Sequence, residues 1–495
     1  MQNIFTKHLQ LQRFFGALFL FLASHAFGQT HSLADLQKEL GVLGQTKSLK
    51  NAQWGLMLYS LKSNKPIISL NSNRTFIPAS TLKTVTTAAA LELLGPDFTI
   101  KTYLESDAAI DKDGVLQGNL IVRGEGDPGL GGGYSSDSGY LALFAKWVNS
   151  LSKLGVKRIS GHVVGDGTYF SDPVIHGSWQ WMDVGNYFGS GVSGLNVNDN
   201  LFRLTFKSGK SGEKPSIVSI NPKIEKLEIE NLLTTAGTKD QAYIYGGPGE
   251  YHKKVSGCIP VGKTEFTIKG SLPDPPLQCA RLLLEALKNA GIEVGGKAVS
   301  KQSEEGEKVG SVVSQLLTHQ SDPLSKLVMQ TNTYSLNHYA DALLKILGKQ
   351  AGKAGNFEDG TSVVIDFWKK KGMDIEGLFM VDGSGMSTQN GITPEQLAFV
   401  FATMKRSKNF GQFYSSLSVA GVKGTLSDMG KNGSAYANVH AKTGTMTRVQ
   451  CYVGYLKAKN DEQYAFSLMV NHYNGDYKSL RDKVGNLLNF MCNLR

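Results

Sequence analysis

Ser80 and Lys83 have the residue types and the spacing that can activate a serine hydroxyl. They lie three residues apart, after Pro78 and at the start of a run rich in Ala, Thr and Leu that continues to Gly95. This pattern predicts that Ser80 stands at the start of a helix and that both side chains share one helix face. A serine becomes a strong nucleophile when a base removes its proton, and lysine is such a base only when uncharged. Burial and a second nearby cation would both lower its pKa.

Three side chains from distant parts of the chain could complete such a site. Ser335 and Asn337 stand two residues apart in a polar break inside a helical region, where both can point into one cleft. The Ser335 hydroxyl could pass a proton to a leaving amine, and the Asn337 amide could hold a substrate and orient Lys83. Lys442 would supply the second cation.

A Lys-Thr-Gly tripeptide that ends at Gly444 precedes a strand predicted for residues 449–456. An edge strand can pair with an extended peptide through its main chain, and Gly444 would let that peptide approach closely. The hydroxyls of Thr443 and Thr445 would receive a terminal carboxylate. The backbone N–H groups of Ser80 and Thr445 would form an oxyanion hole.

Each motif alone is common, and only the combination is informative. In this order, Ser80-Thr81-Leu82-Lys83, Ser335-Leu336-Asn337 and Lys442-Thr443-Gly444 resemble the motifs of the penicillin-binding D-alanyl-D-alanine carboxypeptidases and endopeptidases. These are the low-molecular-mass class C penicillin-binding proteins, which carry an inserted domain. The long interval between the first two motifs is typical of that branch and too long for a compact β-lactamase. Leu336 stands where relatives commonly carry aspartate, but only its two neighbours carry chemistry.

The resemblance extends over nearly the whole chain after residue 28 and includes the segments Asp382-Gly383-Ser384-Gly385 and Gly424-Thr425-Leu426. It implies an α+β fold in which a β-lactamase/transpeptidase-like domain, an antiparallel sheet with helices on both faces, is interrupted by a mostly β insert. We expect residues 29–106 and 310–495 to form the catalytic domain. Residues 107–309 would form the insert, as two small domains.

The resemblance further implies that Ser80 forms an acyl-enzyme with peptidoglycan stem peptides and with β-lactams, without a cofactor or metal. An insert aspartate and nearby aromatic residues would bind the free amine of the stem-peptide side chain. The candidates are Asp183, Trp179, Trp181 and Tyr187, with Met446 lining the same pocket. The alternative is that these aromatic residues belong to the hydrophobic core. His338, beside Asn337, is expected to be structural.

Hydrophobic periodicity outlines the remaining elements. It predicts helices at residues 33–44, 277–290, 323–347 and 360–371 and a C-terminal amphipathic helix from about Tyr477. It predicts strands at residues 53–61, 67–70, 118–123, 161–166, 201–206, 223–229, 449–456 and 464–470. We expect the last helix to cover the sheet, although its apolar face could also lie on a membrane.

The first 28 residues have the pattern of a secretory signal peptide. Lys7 and Arg13 precede an apolar run at residues 14–23, and small residues at Ala26 and Gly28 suit a signal peptidase. An uncleaved anchor is the alternative, although the run is too short to span a bilayer comfortably. Cleavage would remove two positive charges and no acid, so the formal charge falls from +10 to +8.

These features predict a basic protein located in the periplasm or otherwise outside the cytoplasm, without a transmembrane segment after cleavage. Its charge would favour weak association with anionic envelope polymers, although solubility alone could also explain it. The sequence has no Lys/Arg-rich run with interleaved aromatic residues, so we do not expect nucleic acid as a partner. A Gly-x-Gly-x-x-Gly match at residues 124–129 contains Pro128 and runs into further glycines, which argues against a dinucleotide site.

Four cysteines follow the signal segment, and none forms a Cys-x-x-Cys pair. In an oxidising compartment Cys258, Cys279, Cys451 and Cys492 could form two disulfides in three possible pairings. We favour Cys258–Cys279, which lie within one segment, with buried free thiols as the alternative.

Two other functions remain open at this level. One is a serine β-lactamase, and the other is a non-catalytic penicillin-binding envelope protein. The balance between carboxypeptidase and endopeptidase action is also open.

Overall fold

The computed structural model describes residues 30–171 and 173–495. The predicted signal peptide, residues 1–28, lies outside the described residues. Across the described ranges, the helices are too short or too polar to cross a bilayer.

Twenty strands are described within these ranges. In chain order they are β1 (Gln53–Ser60), β2 (Lys65–Leu70), β3 (Lys101–Ser106), β4 (Val115–Leu116), β5 (Leu120–Gly124), β6 (Arg158–Ile159), β7 (Val163–Asp166), β8 (Leu201–Lys207), β9 (Ser216–Asn221), β10 (Glu228–Thr235), β11 (Tyr243–Tyr245), β12 (His252–Ile259), β13 (Phe266–Ser271), β14 (Glu293–Val294), β15 (Ala298–Ser300), β16 (Ser314–Gln320), β17 (Ser418–Val419), β18 (His440–Met446), β19 (Val449–Lys457) and β20 (Gln463–Asn471).

The α-helices of the same ranges are α1 (Leu33–Gly44), α2 (Lys83–Leu94), α3 (Tyr140–Lys153), α4 (Pro275–Asn289), α5 (Glu304–Glu307), α6 (Leu324–Tyr334), α7 (Asn337–Gln350), α8 (Phe357–Lys370), α9 (Pro394–Lys405), α10 (Phe410–Ser416) and α11 (Tyr477–Cys492). Short 3₁₀ turns lie at Ala79–Leu82, Tyr187–Gly189, Asn198–Asn200 and Gly424–Leu426.

A six-stranded antiparallel sheet in the order β17-β18-β19-β20-β1-β2 forms the centre of the fold. Side chains alternate between its two faces. On β19, Cys451 and Val453 pack in the core built with α2 and the helices α6 to α9, whereas Tyr452 and Leu456 pack in the core built with α1 and α11. Helices therefore cover both faces, which confirms the predicted fold class.

The C-terminal helix α11 covers the sheet, as predicted. Its apolar face, which includes Leu480, Val484 and Leu487, shares one core with Leu56 and Phe466 of the sheet. Burial of that face against strands accounts for its amphipathic pattern without a membrane.

Four smaller sheets lie between the parts of the chain that build the central sheet. A five-stranded mixed sheet has the order β15-β7-β5-β3-β16, and three-stranded sheets have the orders β10-β12-β11, β13-β8-β9 and β14-β6-β4. Strands β3 and β16, which flank the predicted insert in sequence, both belong to the five-stranded sheet. Helices α3 and α4 pack in the core shared by these strands.

Two sequence predictions in this region need correction. The strand predicted for residues 223–229 is wrong, because Lys226 has a left-handed backbone (φ 64°) in a turn and β10 begins at Glu228, where it pairs with His252. The disulfide between Cys258 and Cys279 is also wrong, since both thiols are free. Cys258 is half-buried on β12 and contacts Gln241 at 2.9 Å, whereas Cys279 faces the core beneath α4.

Candidate active site

Ser80 lies in the 3₁₀ turn Ala79–Leu82, which continues directly into α2 at Lys83. In a 3₁₀ turn, side chains three residues apart lie one above the other. Lys83 Nζ consequently lies 2.8 Å from Ser80 Oγ. Ser80 is half-buried and Lys83 is fully buried. The predicted pair is therefore brought together at a helix start.

The Lys83 amine has three hydrogen-bond partners. Besides Ser80 Oγ, its Nζ contacts Asn337 Oδ1 at 2.6 Å and the Ser384 carbonyl oxygen at 2.6 Å. The last two atoms only accept hydrogen bonds, so they take two N–H groups. In the ammonium form Lys83 can donate to all three oxygens. In the neutral form it has two hydrogens and one lone pair, and the two acceptors then direct that lone pair at Ser80 Oγ. The geometry thus suits an uncharged Lys83 that accepts the serine proton.

Electrostatics favour the same state. Burial lowers the pKa of Lys83 to about 7, against the opposing effect of Asp341 and Asp382. Burial also lowers the pKa of Lys442 well below its usual range, and the charge of Lys83 lowers it further. Desolvation is the main cause of the lowered pKa of both lysines. At Lys442, repulsion from the Lys83 charge lowers the pKa further.

Ser335 links α6 to α7, the two helices that replace the single predicted segment at residues 323–347. Its backbone is left-handed, with φ 62° and ψ 40°, a conformation that costs energy in a non-glycine residue and recurs at functional sites. Lys442 Nζ donates a 2.9 Å hydrogen bond to Ser335 Oγ and a 2.7 Å bond to the Thr443 carbonyl. Asn337 is the first residue of α7. At the polar break predicted from sequence, the Ser335 side chain therefore contacts Lys442 and the Asn337 side chain contacts Lys83.

Strand β18 passes directly beside the Ser80 turn. A Cβ atom placed on Gly444 would lie 2.5 Å from the Pro78 carbonyl oxygen and 3.0 Å from the Ser80 nitrogen. Only glycine permits this approach of two backbones. Strand β17 pairs with His440 and Ala441 alone, which leaves the β18 edge beyond them without a strand partner among the described residues.

The side chains around Gly444 differ in exposure. Thr443 is buried and its Oγ1 donates a 2.8 Å hydrogen bond to Thr425 Oγ1. Thr445 is exposed and Met446 is half-buried. Thr425, whose part in orienting Thr443 was not predicted, belongs to the Gly-Thr-Leu segment that carries the family resemblance.

The segment 178–189, which belongs to the predicted insert, reaches this site. The Asn337 Nδ2 group donates a 2.7 Å hydrogen bond to the Phe188 carbonyl. Asp183, five residues before Phe188, is half-buried, and burial raises its pKa. Tyr187 is exposed over 57% of its surface, and so is Trp181 over 60%.

Trp179, unlike Trp181 and Tyr187, is buried. It is buried in the catalytic core, its ring packs on Phe357 with centroids 5.9 Å apart, and its Nε1 donates a 2.9 Å hydrogen bond to Asp382 Oδ2. The core alternative therefore holds for Trp179. His338 is likewise buried, and burial lowers its pKa. It lies 3.9 Å from Asp199 and does not contact the lysines.

Asp341 is a site residue that the sequence analysis did not identify. Its Oδ1 accepts hydrogen bonds from the backbone N–H groups of Gly383 (2.8 Å) and Ser384 (3.0 Å), which places the Ser384 carbonyl against Lys83. Burial raises the pKa of Asp341 to about 7. The signal was present in the sequence, because Asp341 is one helical turn after Asn337 and shares its face.

The residues described offer no metal centre, since no group of three or more His, Cys, Asp or Glu side chains among them is arranged to hold an ion.

An antiparallel sheet between helices, with a serine hydrogen-bonded to a buried lysine at a helix start, defines a serine hydrolase of the β-lactamase/transpeptidase-like fold. Residues 36–490 match the D-Ala-D-Ala carboxypeptidase 3 (S13) family, and the chain belongs to that family. This membership confirms the resemblance and the enzyme class inferred from the three motifs.

Individual proteins similar to this chain are consistent with membership of that family. The chain is 28% identical over 451 residues to the D-alanyl-D-alanine carboxypeptidase DacB of Haemophilus influenzae, covering 89% of this chain and 90% of that one. It is 26% identical over 460 residues to a D-alanyl-D-alanine carboxypeptidase of Actinomadura sp. (strain R39), covering 90% and 82%. The crystal structure of penicillin binding protein 4 from Haemophilus influenzae superposes with a TM-score of 0.76 at 26% identity, covering 94% and 98%.

Proposed function

We propose that this protein is an exported serine-type D-Ala-D-Ala carboxypeptidase or DD-endopeptidase that cleaves peptidoglycan stem peptides and is acylated by penicillin at Ser80. One observation carries the proposal: the buried Lys83 amine lies 2.8 Å from Ser80 Oγ, with its other two contacts made to acceptors. Family membership supports the D-Ala-D-Ala bond as the one attacked.

Acylation begins with transfer of the Ser80 proton to neutral Lys83. Ser80 Oγ attacks the carbonyl carbon of the penultimate D-alanine, or of the corresponding residue of a cross-link. The negative oxygen of the intermediate is bound by the backbone N–H groups of Ser80 and Thr445. The closeness of Gly444 to the Ser80 nitrogen supports this pairing.

Departure of the amine requires a proton. The Ser335 hydroxyl, held by Lys442 Nζ at 2.9 Å, gives its proton to the leaving nitrogen as the C–N bond breaks. It is reprotonated by the proton that Lys83 took from Ser80, so Lys83 is neutral again before water attacks. Water then attacks the Ser80 ester, and Lys83 takes a proton from that water. The ester bond breaks, Ser80 recovers its hydrogen and the shortened peptide is released.

Binding of the substrate follows the open edge of β18. The peptide lies antiparallel along residues 442–446, and Gly444 leaves room for its backbone. Its terminal carboxylate lies against the Thr443 and Thr445 hydroxyls. The stem-peptide side chain points toward Met446 and Asp183, whose half-buried carboxylate is suited to a free amine.

Two further proposals concern the whole chain. Residues 29–106 and 310–495 form the catalytic domain around an insert at residues 107–309. The protein acts outside the cytoplasm, in the periplasm or an equivalent compartment, after removal of residues 1–28.

Mass spectrometry of the protein incubated with labelled penicillin tests the acyl-enzyme. We expect one adduct on the peptide that contains Ser80 and no adduct on a Ser80→Ala variant. An unmodified Ser80 at saturating penicillin contradicts the proposal. Rapid turnover of penicillin without a lasting adduct would indicate a β-lactamase instead.

Chromatography of muropeptide digests tests the natural reaction. Loss of the terminal D-alanine from monomers measures carboxypeptidase action, and splitting of dimers measures endopeptidase action. A protein that is acylated by penicillin but leaves both substrates intact would be a non-catalytic binder.

A further inference from the structure

A cavity lies in the predicted insert, on the outward face of the sheet β10-β12-β11. Its volume is about 840 Å³, and its lining includes the side chains Trp181, Tyr245, Tyr251, Glu230, Glu250 and His252. Alternation along β12 exposes His252 and Lys254 while burying Lys253 and Val255. The cavity therefore combines three aromatic rings with polar groups on one sheet face.

The segment that carries Trp181 is fixed to that sheet. Asn186 accepts a 2.9 Å hydrogen bond from the Ile244 N–H of β11, and its Nδ2 donates to the Met182 carbonyl at 2.7 Å. A Cβ atom on Gly185 would lie 2.0 Å from the Ile244 carbonyl oxygen, so the two backbones touch. Trp181 is thus held over the cavity while 60% of its surface remains exposed.

Both ends of the same segment are held by residues that lie outside the predicted insert in sequence. Ser178 Oγ lies 2.6 Å from Ser387 Oγ, and the Phe188 carbonyl accepts the Asn337 amide. Phe188 is seven positions after Trp181, so their Cα atoms are at most about 25 Å apart. A five-residue stem peptide spans at most about 18 Å when extended, and a sugar at its far end extends that reach.

Charge in the cavity is largely compensated. Glu230 faces Lys254 across the β10–β12 pair and lies 3.9 Å from His252 Nε2, and Glu250 accepts a 2.8 Å hydrogen bond from the Gly247 N–H. Paired carboxylates and aromatic faces suit an uncharged ligand with many hydroxyl and amide groups better than a cation.

We propose that this cavity binds the N-acetylated disaccharide of a peptidoglycan strand while the attached stem peptide occupies the active site. The inference rests on the proposed function. It makes Trp181 a determinant of specificity for glycan-linked over free peptides, and it assigns a role to the three-stranded sheet of the insert.

Kinetics on two matched substrates test the proposal: a disaccharide-linked pentapeptide and the same pentapeptide without sugar. For Trp181→Ala we expect KM on the linked substrate to rise about tenfold, equivalent to the loss of one aromatic contact. KM on the free pentapeptide should rise much less than KM on the linked substrate, so the ratio of the two KM values measures the contribution of the sugar. Trp181→Phe should restore most of the affinity.

Phe379→Ala is the matched control, because Phe379 is 58% exposed and is not among the residues lining the cavity. It should leave both substrates unaffected. Equal changes on both substrates in Trp181→Ala, or no change on either, overturn the inference. Failure of the wild-type protein to cleave either substrate would overturn the proposed function instead.

A binding measurement provides a readout without catalysis. Titration of the Ser80→Ala protein with the peptide-free disaccharide should change the tryptophan fluorescence, and the Ser80→Ala/Trp181→Phe protein should show a smaller change. A response to free lysine but not to the disaccharide would identify the cavity as a cation site and contradict the proposal.

Discussion

The side chain of Asn337 joins Lys83 to Phe188. Its Oδ1 accepts a 2.6 Å hydrogen bond from Lys83 Nζ, and its Nδ2 donates a 2.7 Å bond to the Phe188 carbonyl. The bond to Phe188 fixes which end of the amide faces the lysine. A neutral acceptor at this position satisfies the amine and stabilises its charged form less than a carboxylate would, which suits a base.

Asn337→Asp should therefore reduce activity at neutral pH. A carboxylate 2.6 Å from Nζ favours the ammonium, so the pKa of Lys83 rises and the active amine becomes scarce. We expect the acid limb of kcat/KM to move to higher pH and the activity at pH 7 to fall at least about tenfold. The measurement is a pH–rate profile on a stem peptide. A loss of activity that is uniform across pH would contradict this explanation, because it would indicate misplacement rather than a changed pKa.

The wild-type profile should itself show an acid limb near pH 7. Burial lowers the pKa of Lys83 to about 7, so below that pH the ammonium dominates and no base is available. We expect kcat/KM to rise about tenfold per pH unit below pH 7 and to level off above it. Penicillin acylation rates should follow the same curve, since they depend on the same proton transfer. A flat profile between pH 5 and 8 would be inconsistent with Lys83 as the base.

Asp341→Asn should shift this limb the other way. The negative charge of Asp341 raises the pKa of Lys83, whereas an amide oxygen at the same place can still accept from Gly383 and Ser384. The limb should therefore move to lower pH. Glu92→Gln is the control, because Glu92 is a partly buried carboxylate on the same helix as Lys83 that pairs with Lys371 instead. If Asp341→Asn and Glu92→Gln shift the acid limb of the pH–rate profile equally, the charge of Asp341 does not control the pKa of Lys83.

The parts of this site that sequence predicted are those set by local spacing. Ser80 and Lys83 are neighbours on one turn, and the break at Ser335 is visible as polar residues inside a helical pattern. The contact of Phe188 with Asn337 joins residues 149 positions apart, and the contact of Ser384 with Lys83 joins residues 301 positions apart. Such contacts depend on how the insert and the central sheet pack, which periodicity does not encode.

Strand β10 illustrates the same limit in the fold. Residues 223–229 alternate as a strand does, yet the strand begins at Glu228 because its parallel partner β12 begins opposite it, at His252. A segment becomes a strand only where a neighbouring strand hydrogen-bonds to it, so a partner distant in sequence decides where the strand begins. The amphipathic helix α3 went unpredicted because the residues around it have the Gly- and Asp-rich composition of turns.

Thiol reactivity should distinguish Cys258 from the other cysteines. Burial raises the pKa of Cys451 and Cys492 to about 12 and also raises that of Cys279, whereas Cys258 is only partly buried. A thiol reagent should therefore modify one group in the native protein and four after unfolding, without prior reduction. Modification of only two groups after unfolding would indicate a disulfide. Cys258→Ser should abolish the native reaction and leave activity intact.

Gly444→Ala should damage both stability and catalysis, because the backbone of β18 touches the Ser80 turn at this residue. The added methyl group would lie 2.5 Å from the Pro78 carbonyl oxygen, so one of the two backbones has to move. We expect a loss of about 1–3 kcal/mol in the free energy of unfolding. Displacement of the oxyanion-binding groups by a fraction of an ångström should lower the penicillin acylation rate by about a hundredfold.

Gly411→Ala provides the matched control for that variant. Gly411 lies in α10, where a Cβ atom would meet nothing within 4 Å. Alanine should stabilise this helix slightly, by about 0.4–1 kcal/mol, and leave acylation unchanged. Thermal unfolding and acylation kinetics measured on both variants separate the two effects of Gly444→Ala. Wild-type acylation by a Gly444→Ala protein would show that the close approach of β18 to Ser80 is not needed for the reaction.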